Sequence, residues 1–205
     1  MTKTVDTTHF SSYVKSCLLF KPRWAKFHLT LPPFFVAAPV LMSASRQSFV
    51  ISTKLGNITL RFRRDAAPST CDYYERAIAS GLFNEGRASF YRSDFVIQCG
   101  LHHSRTQNPA GDLRVNETNA PGTEMLGNLP GTAAVAHFDV PDCGNTEFFI
   151  NLKNNVHLDS VYGGYCVFAA VDQSDKASWQ VIGAIAETIS RKQGGLVGIS
   201  NMTLI

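Results

Sequence analysis

The sequence predicts a mainly β fold, in which a closed or nearly closed antiparallel sheet is covered by two helices. Short strand-like runs dominate from about residue 48 onward, and Gly, Pro, Asn and Asp separate these runs. Only two segments space their apolar residues as an amphipathic helix does. With 44% hydrophobic and 17% charged residues, the composition is that of an ordinary globular protein, and it indicates neither disorder nor a multispanning membrane protein.

The first 46 residues differ from the rest of the chain. They are rich in Ser, Thr, Phe and basic residues, poor in acidic residues, and interrupted by Pro22, Pro32, Pro33 and Pro39. We therefore predict an N-terminal extension over residues 1–46 and one domain over residues 47–205. The composition is typical of a targeting segment, but a disordered tail or an over-extended gene model would explain it as well.

The apolar run over residues 31–42 bears on the location of the protein. It is shorter than the ~20 residues of a transmembrane helix and contains three prolines, so no stable membrane span is expected. A secretory signal normally lies within the first ~15 to 30 residues, whereas this run starts later. A transit peptide for the mitochondrion or plastid fits better, with a cytoplasmic or secretory location as the alternative.

A hairpin opens the predicted domain. Residues 48–53 form a β-rich run, and residues 54–57 are predicted to form the turn. Ile58, Leu60 and Phe62 then alternate with polar residues, which is typical of a strand with one face in solvent.

The first helix is predicted between Pro68, near its first turn, and Gly81, just after its last turn. The second helix is predicted over residues 177–187, with Val181, Ile182 and Ile185 facing inward. The other strand-like runs cover residues 88–91, 95–98, 131–136, 146–152, 165–171 and 196–205.

Charge and cysteine content exclude several classes of function. The formal net charge is only +3, and no run of Lys and Arg alternates with aromatic residues, so nucleic-acid binding is not expected. The five cysteines are scattered singly, without the paired spacing of a zinc site, and are predicted to be reduced and mostly buried. His102 and His103 could suggest a metal or acid–base site, but adjacent strand residues face opposite sides, and a solvated loop pair is preferred.

Several segments carry a pattern in a fixed order. Residues 90–92 read Phe-Tyr-Arg, and residues 95–100 read Phe-Val-Ile-Gln-Cys-Gly. Residues 131–137 read Gly-Thr-Ala-Ala-Val-Ala-His, and residues 146–152 read Thr-Glu-Phe-Phe-Ile-Asn-Leu. Leu158-Asp159 and Tyr165-Cys166-Val167-Phe168 follow. From about residue 48 to the end, this order resembles that of the cyclophilins, a family of peptidyl-prolyl cis-trans isomerases, with loop lengths like those of bacterial and organellar members.

The resemblance implies a closed eight-stranded antiparallel β-barrel capped by two α-helices. It also implies that the protein accelerates X-Pro rotation without a cofactor, acts as a monomer and takes proline-containing peptides or client proteins as substrates. Arg92 would be the catalytic hydrogen-bond donor, and Phe95, Val96, Phe149 and Leu158 would form the proline pocket. The other substrate-binding residues would be Gln98, Ala136, His137, Glu147, His157 and Tyr165. Because His157 stands where many members carry a tryptophan, cyclosporin is expected to bind weakly.

Taken one at a time, these residues have plainer interpretations. An apolar strand residue usually belongs to a barrel core, Arg92 alone could be a surface residue, Asp159 is typical of a turn, and Gly163-Gly164 is typical of a loop. Only Ser93 and Asp94 separate Arg92 from Phe95, two residues fewer than is usual in the family, and Asp94 could pair with Arg92. A weak or inactive module that binds proline-containing segments, and a structural subunit with a blocked pocket, are therefore the alternatives.

Overall fold

The computed structural model describes residues 46–104, 106–191 and 195–205. Its strands are β1 Ser48–Thr53, β2 Gly56–Phe62, β3 Ser89–Ser93, β4 Val96–Gly100, β5 Thr132–Val135, β6 Phe148–Asn151, β7 Val167–Ala170 and β8 Val197–Leu204. The helices are α1 Pro68–Ala79 and α2 Lys176–Arg191, and two short 3₁₀ helices cover Val156–Asp159 and Val161–Gly163. Residues 1–45 of the predicted N-terminal extension lie outside the described residues.

The eight strands form a closed barrel in the order β1-β2-β7-β5-β6-β4-β3-β8, and every neighbouring pair is antiparallel. Closure comes from β8, which pairs with β1 on one side and with β3 on the other. The predicted fold class, an eight-stranded antiparallel barrel with two helices, is confirmed.

The opening hairpin is tighter than predicted. Gly56 and Asn57 belong to the strand ladder, opposite Thr53 and Ser52, so that the turn itself is only Lys54-Leu55. The Thr53 hydroxyl closes this turn, since it donates to the Gly56 carbonyl and accepts from the Leu55 N–H, both at 3.0 Å. Gly56 enters the strand at a φ of 127°, which a residue with a side chain rarely adopts.

The barrel interior is filled by alternate residues of each strand. Ile97 and Cys99 of β4 and Phe148 and Ile150 of β6 are all buried in the main core. Their strand neighbours therefore point to the outside of the barrel, because successive side chains of a strand face opposite sides. This alternation decides which residues of β4 and β6 are available for a surface site.

The two helices cover the barrel as predicted, but α2 is longer than expected. It continues to Arg191 because Ile189 extends the buried stripe of Ile182 and Ile185 by one more turn. Val181, predicted to face inward, is only partly buried and packs against the core.

The cysteines of the described residues are free thiols, and Cys71, Cys99 and Cys166 are buried. Burial is the main cause that raises the pKa of Cys71 to about 12 and that of Cys166 to about 11. Among the described residues, no helix has the length and apolar character needed to cross a membrane. The same residues contain no cluster of three His, Cys, Asp or Glu side chains that could hold a metal ion.

Candidate active site

A groove of about 380 Å³ lies on the outer face of the barrel, over β3, β4 and β6. It is apolar at one end and polar at the other. Its lining residues are Tyr91, Arg92, Phe95, Val96, Gln98, His102, Ala136, His137, Phe138, Cys143, Asn145, Glu147, Phe149, Leu158 and Tyr165.

The floor of the groove is an apolar cluster separate from the barrel core. Val96 of β4 and Phe149 of β6 face outward and pack with Leu158 of the first 3₁₀ helix. These three residues are only 3%, 4% and 7% exposed, and Phe95 and Tyr165 pack against them at the rim. The result is a shallow apolar pocket, which we call the floor pocket.

Aromatic contacts shape one wall of the floor pocket. The Tyr165 ring meets the Phe149 ring edge-on, with the centroids 5.6 Å apart, and stacks on the His137 imidazole at 4.2 Å. His137 is fixed in turn, because Nε2 lies 3.1 Å from the Gly164 carbonyl oxygen and Nδ1 lies 2.5 Å from that of Phe138. The wall is thus held in place before any ligand arrives.

Buried asparagines support the floor pocket from below. Asn155 Nδ2 donates to the Phe95 carbonyl at 3.2 Å and to Asn151 Oδ1 at 2.7 Å. Asn151 Nδ2 donates to Asn128 Oδ1 at 3.0 Å, and Asn128 Nδ2 donates to the Tyr165 carbonyl at 3.1 Å. This asparagine chain, Asn155-Asn151-Asn128, connects the backbone beneath Phe95 with the backbone beneath Tyr165.

Asp159 belongs to the same support and not to the reacting face. Its Oδ1 accepts from the backbone N–H of Asn128 at 2.7 Å and from Asn128 Nδ2 at 2.9 Å. The carboxylate thereby ties the 3₁₀ helix that carries Leu158 to the asparagine chain.

Arg92 lies at the edge of the floor pocket, with its side chain 53% exposed. Its Cζ is 5.8 Å from the centre of the Phe95 ring. Asp94 Oδ2 accepts from Arg92 Nη2 at 2.8 Å and from Nε at 3.1 Å, so the ion pair considered from the sequence is present. The pair uses one side of the guanidinium and leaves the other donors available.

Asp94 also builds the turn between β3 and β4. Its Oδ1 accepts from the backbone N–H of Phe95 at 2.5 Å and of Val96 at 3.3 Å. Burial alone would raise the pKa of the Asp94 carboxyl, but hydrogen bonds from Arg92 and from these two N–H groups lower it below its usual range. The carboxylate is therefore ionised at neutral pH.

A hydrogen-bonded cluster forms the polar end of the groove. Tyr91 Oη donates to Glu147 Oε2 at 2.7 Å and accepts from Gln98 Nε2 at 2.7 Å. The backbone N–H of His102 donates to Glu147 Oε1 at 2.9 Å. Burial, followed by the hydrogen bond to Glu147, raises the pKa of Tyr91, so its hydroxyl stays protonated.

All the site residues predicted from the sequence line this groove except His157. His157 is exposed, and its ring meets the outer edge of Phe95 with the centroids 5.5 Å apart. His102 and His103 lie in an exposed turn as predicted, but both rings contact Tyr91, at 5.3 Å and 4.6 Å.

Sequence reasoning missed Tyr91, Phe138, Cys143 and Asn145, as well as the place of His102 in the lining. For Tyr91 the reason is a bulge in β3, where the register to β4 shifts between Phe90 and Arg92. Because of this bulge, the consecutive residues Tyr91 and Arg92 both reach the groove, although neighbours on a regular strand face opposite sides. No local sequence pattern signals such a shift.

Comparisons with known proteins agree with the geometry. Residues 48–197 match the family model of the cyclophilin type peptidyl-prolyl cis-trans isomerases. A peptidyl-prolyl cis-trans isomerase of Acinetobacter baylyi is 29% identical over 125 residues, which is 59% of this chain and 64% of that protein. Peptidyl-prolyl cis-trans isomerase B of Escherichia coli is 32% identical over 127 residues, covering 58% of this chain and 74% of that protein.

Solved structures show the same fold. A Cryptosporidium parvum cyclophilin type isomerase, crystallised in the presence of the dipeptide Ala-Pro, has a TM-score of 0.62 at 18% identity. The likeness covers 78% of this chain and 99% of that one. A cyclophilin from Hirschia baltica also gives a TM-score of 0.62, at 12% identity and with 79% of this chain covered.

Proposed function

Because the chain belongs to the cyclophilin type peptidyl-prolyl cis-trans isomerase family, we propose that it accelerates cis/trans rotation of X-Pro bonds in peptides and folding proteins. The observation that carries the proposal is the position of Arg92, whose guanidinium stands at the edge of the apolar floor pocket in a groove of about 380 Å³. Proline-containing peptides or client proteins are the proposed substrates.

The chemistry needs little more than this pocket and one donor. Rotation about the X-Pro bond crosses a barrier of about 18–20 kcal/mol because it breaks the resonance of the amide. In the twisted state the nitrogen lone pair is localised and can accept a hydrogen bond, which the planar forms cannot do equally well. A site that binds the twisted state more tightly lowers the barrier without a covalent intermediate.

Each part of the groove has a role in this scheme. The floor pocket of Val96, Phe149 and Leu158 would hold the proline ring and so fix one side of the bond. Arg92 would donate to the imide nitrogen, since an arginine side chain is cationic at all physiological pH values and presents several donors in one plane. The polar end of the groove would bind the peptide on the rotating side.

The test is the exchange rate of a short Ala-Pro peptide, measured by NMR with the wild type and with Arg92→Ala. We expect Arg92→Ala to lower kcat/KM by about 10²-fold, the usual loss for one preorganised donor. Arg114→Ala is the matched control, because Arg114 is an exposed arginine outside the groove.

One result would reject the isomerase proposal, and peptide binding would then separate the two alternatives. If wild type and Arg92→Ala both leave exchange at the uncatalysed rate, the protein is not an isomerase of this peptide class. Peptide binding without exchange would instead support the non-catalytic binding module, and absence of both would support a structural subunit.

We also propose that residues 1–46 are a transit peptide for the mitochondrion or plastid, on the basis of their basic, acid-poor composition. Sequencing the N-terminus of the mature protein from its native cells tests this proposal. Cleavage near residue 45 is expected, and a mature chain that still begins at Met1 would contradict it.

A further inference from the structure

The isomerase scheme uses the polar end of the groove to bind the peptide, but it gives no role to the charge of Glu147 in that end. Glu147 is half-buried at the polar end, and its carboxylate forms no salt bridge within the described residues. Among the lining residues that the structure describes, Arg92 is the only Lys or Arg, and Asp94 already pairs with it. The segment 137–147 adds Asp139 and Asp142 and contains no Lys or Arg. The polar end therefore has a carboxylate whose charge no Lys or Arg of the described lining residues balances.

Glu147 is held in a fixed position, although it is not neutralised. One oxygen accepts from the Tyr91 hydroxyl and the other from the His102 N–H, and neither donor is a cation. A Cβ at position 100 would lie 2.1 Å from Glu147 Oε1, so the glycine at that position makes room for the carboxylate. Since an ionised carboxylate can accept about four hydrogen bonds, each oxygen keeps capacity for a ligand.

The distance between Glu147 and the floor pocket can be read from the sheet. Gln98 of β4 is the register partner of Phe149 of β6, and Glu147, which directly precedes β6, lines the same groove as Phe149. Two residues of a strand span about 7 Å, which is also the span of two residues of an extended peptide. An extended peptide that runs along β6 with its proline against Phe149 would thus bring the residue two positions away to Glu147.

From this geometry we infer that Glu147 makes the enzyme selective for substrates with a lysine or arginine two residues from the isomerised proline. The inference rests on the proposed function and names its substrate class. A cationic side chain there gains a charge-assisted hydrogen bond from a carboxylate that is already in position. An acidic side chain at the same place meets a like charge and is disfavoured.

The experiment compares matched peptides with Lys, Gln or Glu two residues before the proline, and a second set with the same residues two positions after it. We expect kcat/KM to fall in the order Lys, Gln, Glu in one of the two sets, with about tenfold between Lys and Glu. Because exposed charges are screened by salt, the ratio should shrink in about 0.5 M NaCl.

Variants at position 147 test whether the order of the kcat/KM values depends on the Glu147 carboxylate. Glu147→Gln should bring the Lys to Glu ratio close to one, and Glu147→Lys should reverse it, a result that only a folded protein can give. Glu85→Gln is the control, because it removes the same charge from an exposed residue outside the groove and should leave the ratio unchanged.

The two proposals fail in different ways. If the Gln peptides are isomerised but Lys and Glu peptides react equally, or if the order survives in Glu147→Gln, the inference about Glu147 is wrong while the proposed function stands. If even the Gln peptides are not isomerised, the proposed function is wrong. NMR titration of the same peptides then decides the charge preference from their dissociation constants.

Discussion

Asp94 controls how many donors of Arg92 are available to a substrate. The carboxylate has two separate tasks, because Oδ2 pairs with the guanidinium while Oδ1 accepts the N–H groups of the turn. An asparagine at position 94 could still accept the N–H groups of the turn through its own Oδ1, but it has no charge to pair with the guanidinium. The two tasks can therefore be separated by one substitution.

We expect Asp94→Asn to increase isomerase activity. An exposed ion pair contributes about 0.2–1 kcal/mol, so freeing the guanidinium should raise kcat/KM up to about fivefold. Peptide exchange measured by NMR gives this ratio. Asp112→Asn, which alters the pair with Arg114 outside the groove, is the control. Equal or lower activity of Asp94→Asn would show that the ion pair does not restrict Arg92.

The pH dependence follows from the lowered pKa of Asp94. The pKa of the Asp94 carboxyl is lower in the folded protein than in the unfolded chain. The ion pair with Arg92 is therefore fully present at pH values above the pKa of the unfolded chain, and it is lost as the pH falls through the pKa of the folded protein. The Arg92 pair should thus persist, and the rate should not change through Asp94, between about pH 5 and 8. Rates of wild type and Asp94→Asn across this range should therefore run parallel, and a converging pair of profiles would contradict the assignment.

His157 is expected to determine the affinity for cyclosporin. Its imidazole is exposed and reaches only the outer edge of Phe95, where a larger ring could cover more of the ligand. His157→Trp should tighten cyclosporin binding by about two- to tenfold, measured by calorimetry, since an added aromatic contact contributes about 0.5–1.5 kcal/mol beyond its area. His157→Ala is the control and should not tighten it. If His157→Trp binds cyclosporin with the affinity of the wild type, position 157 does not determine that affinity.

Strands β4 and β6 place the floor pocket, and the asparagine chain links the backbone of Phe95 with that of Tyr165. Asn151 is fully buried in β6, and Asn155 follows in the loop beyond it, so both amides must find partners inside the protein. They find them in the carbonyl beneath Phe95 and in Asn128. The asparagine chain thus connects Phe95 with Tyr165, two pocket residues that are distant in the sequence.

Asn155→Ala tests this coupling. Loss of the amide leaves Asn151 Oδ1 without its 2.7 Å donor, and an unsatisfied buried group costs about 1–3 kcal/mol. Urea unfolding should show a stability loss of that size, and KM should rise more than kcat falls because Phe95 is less well held. Val156→Ala, at an exposed neighbour, is the control. A variant as stable as wild type with unchanged KM would show that the chain does not support the pocket.

Hydrophobic alternation was enough to predict the strands, whereas the pocket residues could be predicted only from the resemblance to a family. Period-two alternation predicts that Ile58, Leu60 and Phe62 face a core, and the structure agrees. The same rule cannot tell that Val96 and Phe149 line a surface groove, and only the resemblance to a family did so. Asn128 and Asn151 were missed because asparagine is typical of turns, so nothing local predicts that it is buried.

The loop over residues 106–131, which leads into β5, contacts the barrel, the first helix and the wall of the groove. Asn128 belongs to the asparagine chain, and Asn116 Nδ2 donates to the Gly164 carbonyl at 2.8 Å, beside Tyr165. Between them, Glu117 reaches the start of α1, which has no side-chain cap of its own. A loop of this length inside a compact domain is usually functional, and here it supports the wall of the site.

Glu117 is the residue on which this arrangement depends most. Its side chain is buried, with Oε1 accepting from the Ser69 N–H at 3.0 Å and Oε2 from the Thr70 N–H at 2.8 Å and the Thr70 hydroxyl at 2.7 Å. The carboxylate satisfies N–H groups that a helix cannot pair internally, and its charge is favourable at a helix N-terminus. Glutamine keeps one acceptor oxygen and loses the charge, so Glu117→Gln should weaken the contact without leaving a cavity.

We expect Glu117→Gln to destabilise the whole protein and not the groove alone. Losing one buried charge-assisted acceptor should cost about 2 kcal/mol, which lowers Tm by about 4–8 °C in a domain of this size. Thermal unfolding followed by circular dichroism measures the shift, and Glu187→Gln, on the exposed face of α2, is the control. If Glu117→Gln unfolds at the wild-type temperature, α1 is held by its apolar face alone, because Tyr74 stacks on Phe168 at 4.1 Å whatever the cap does.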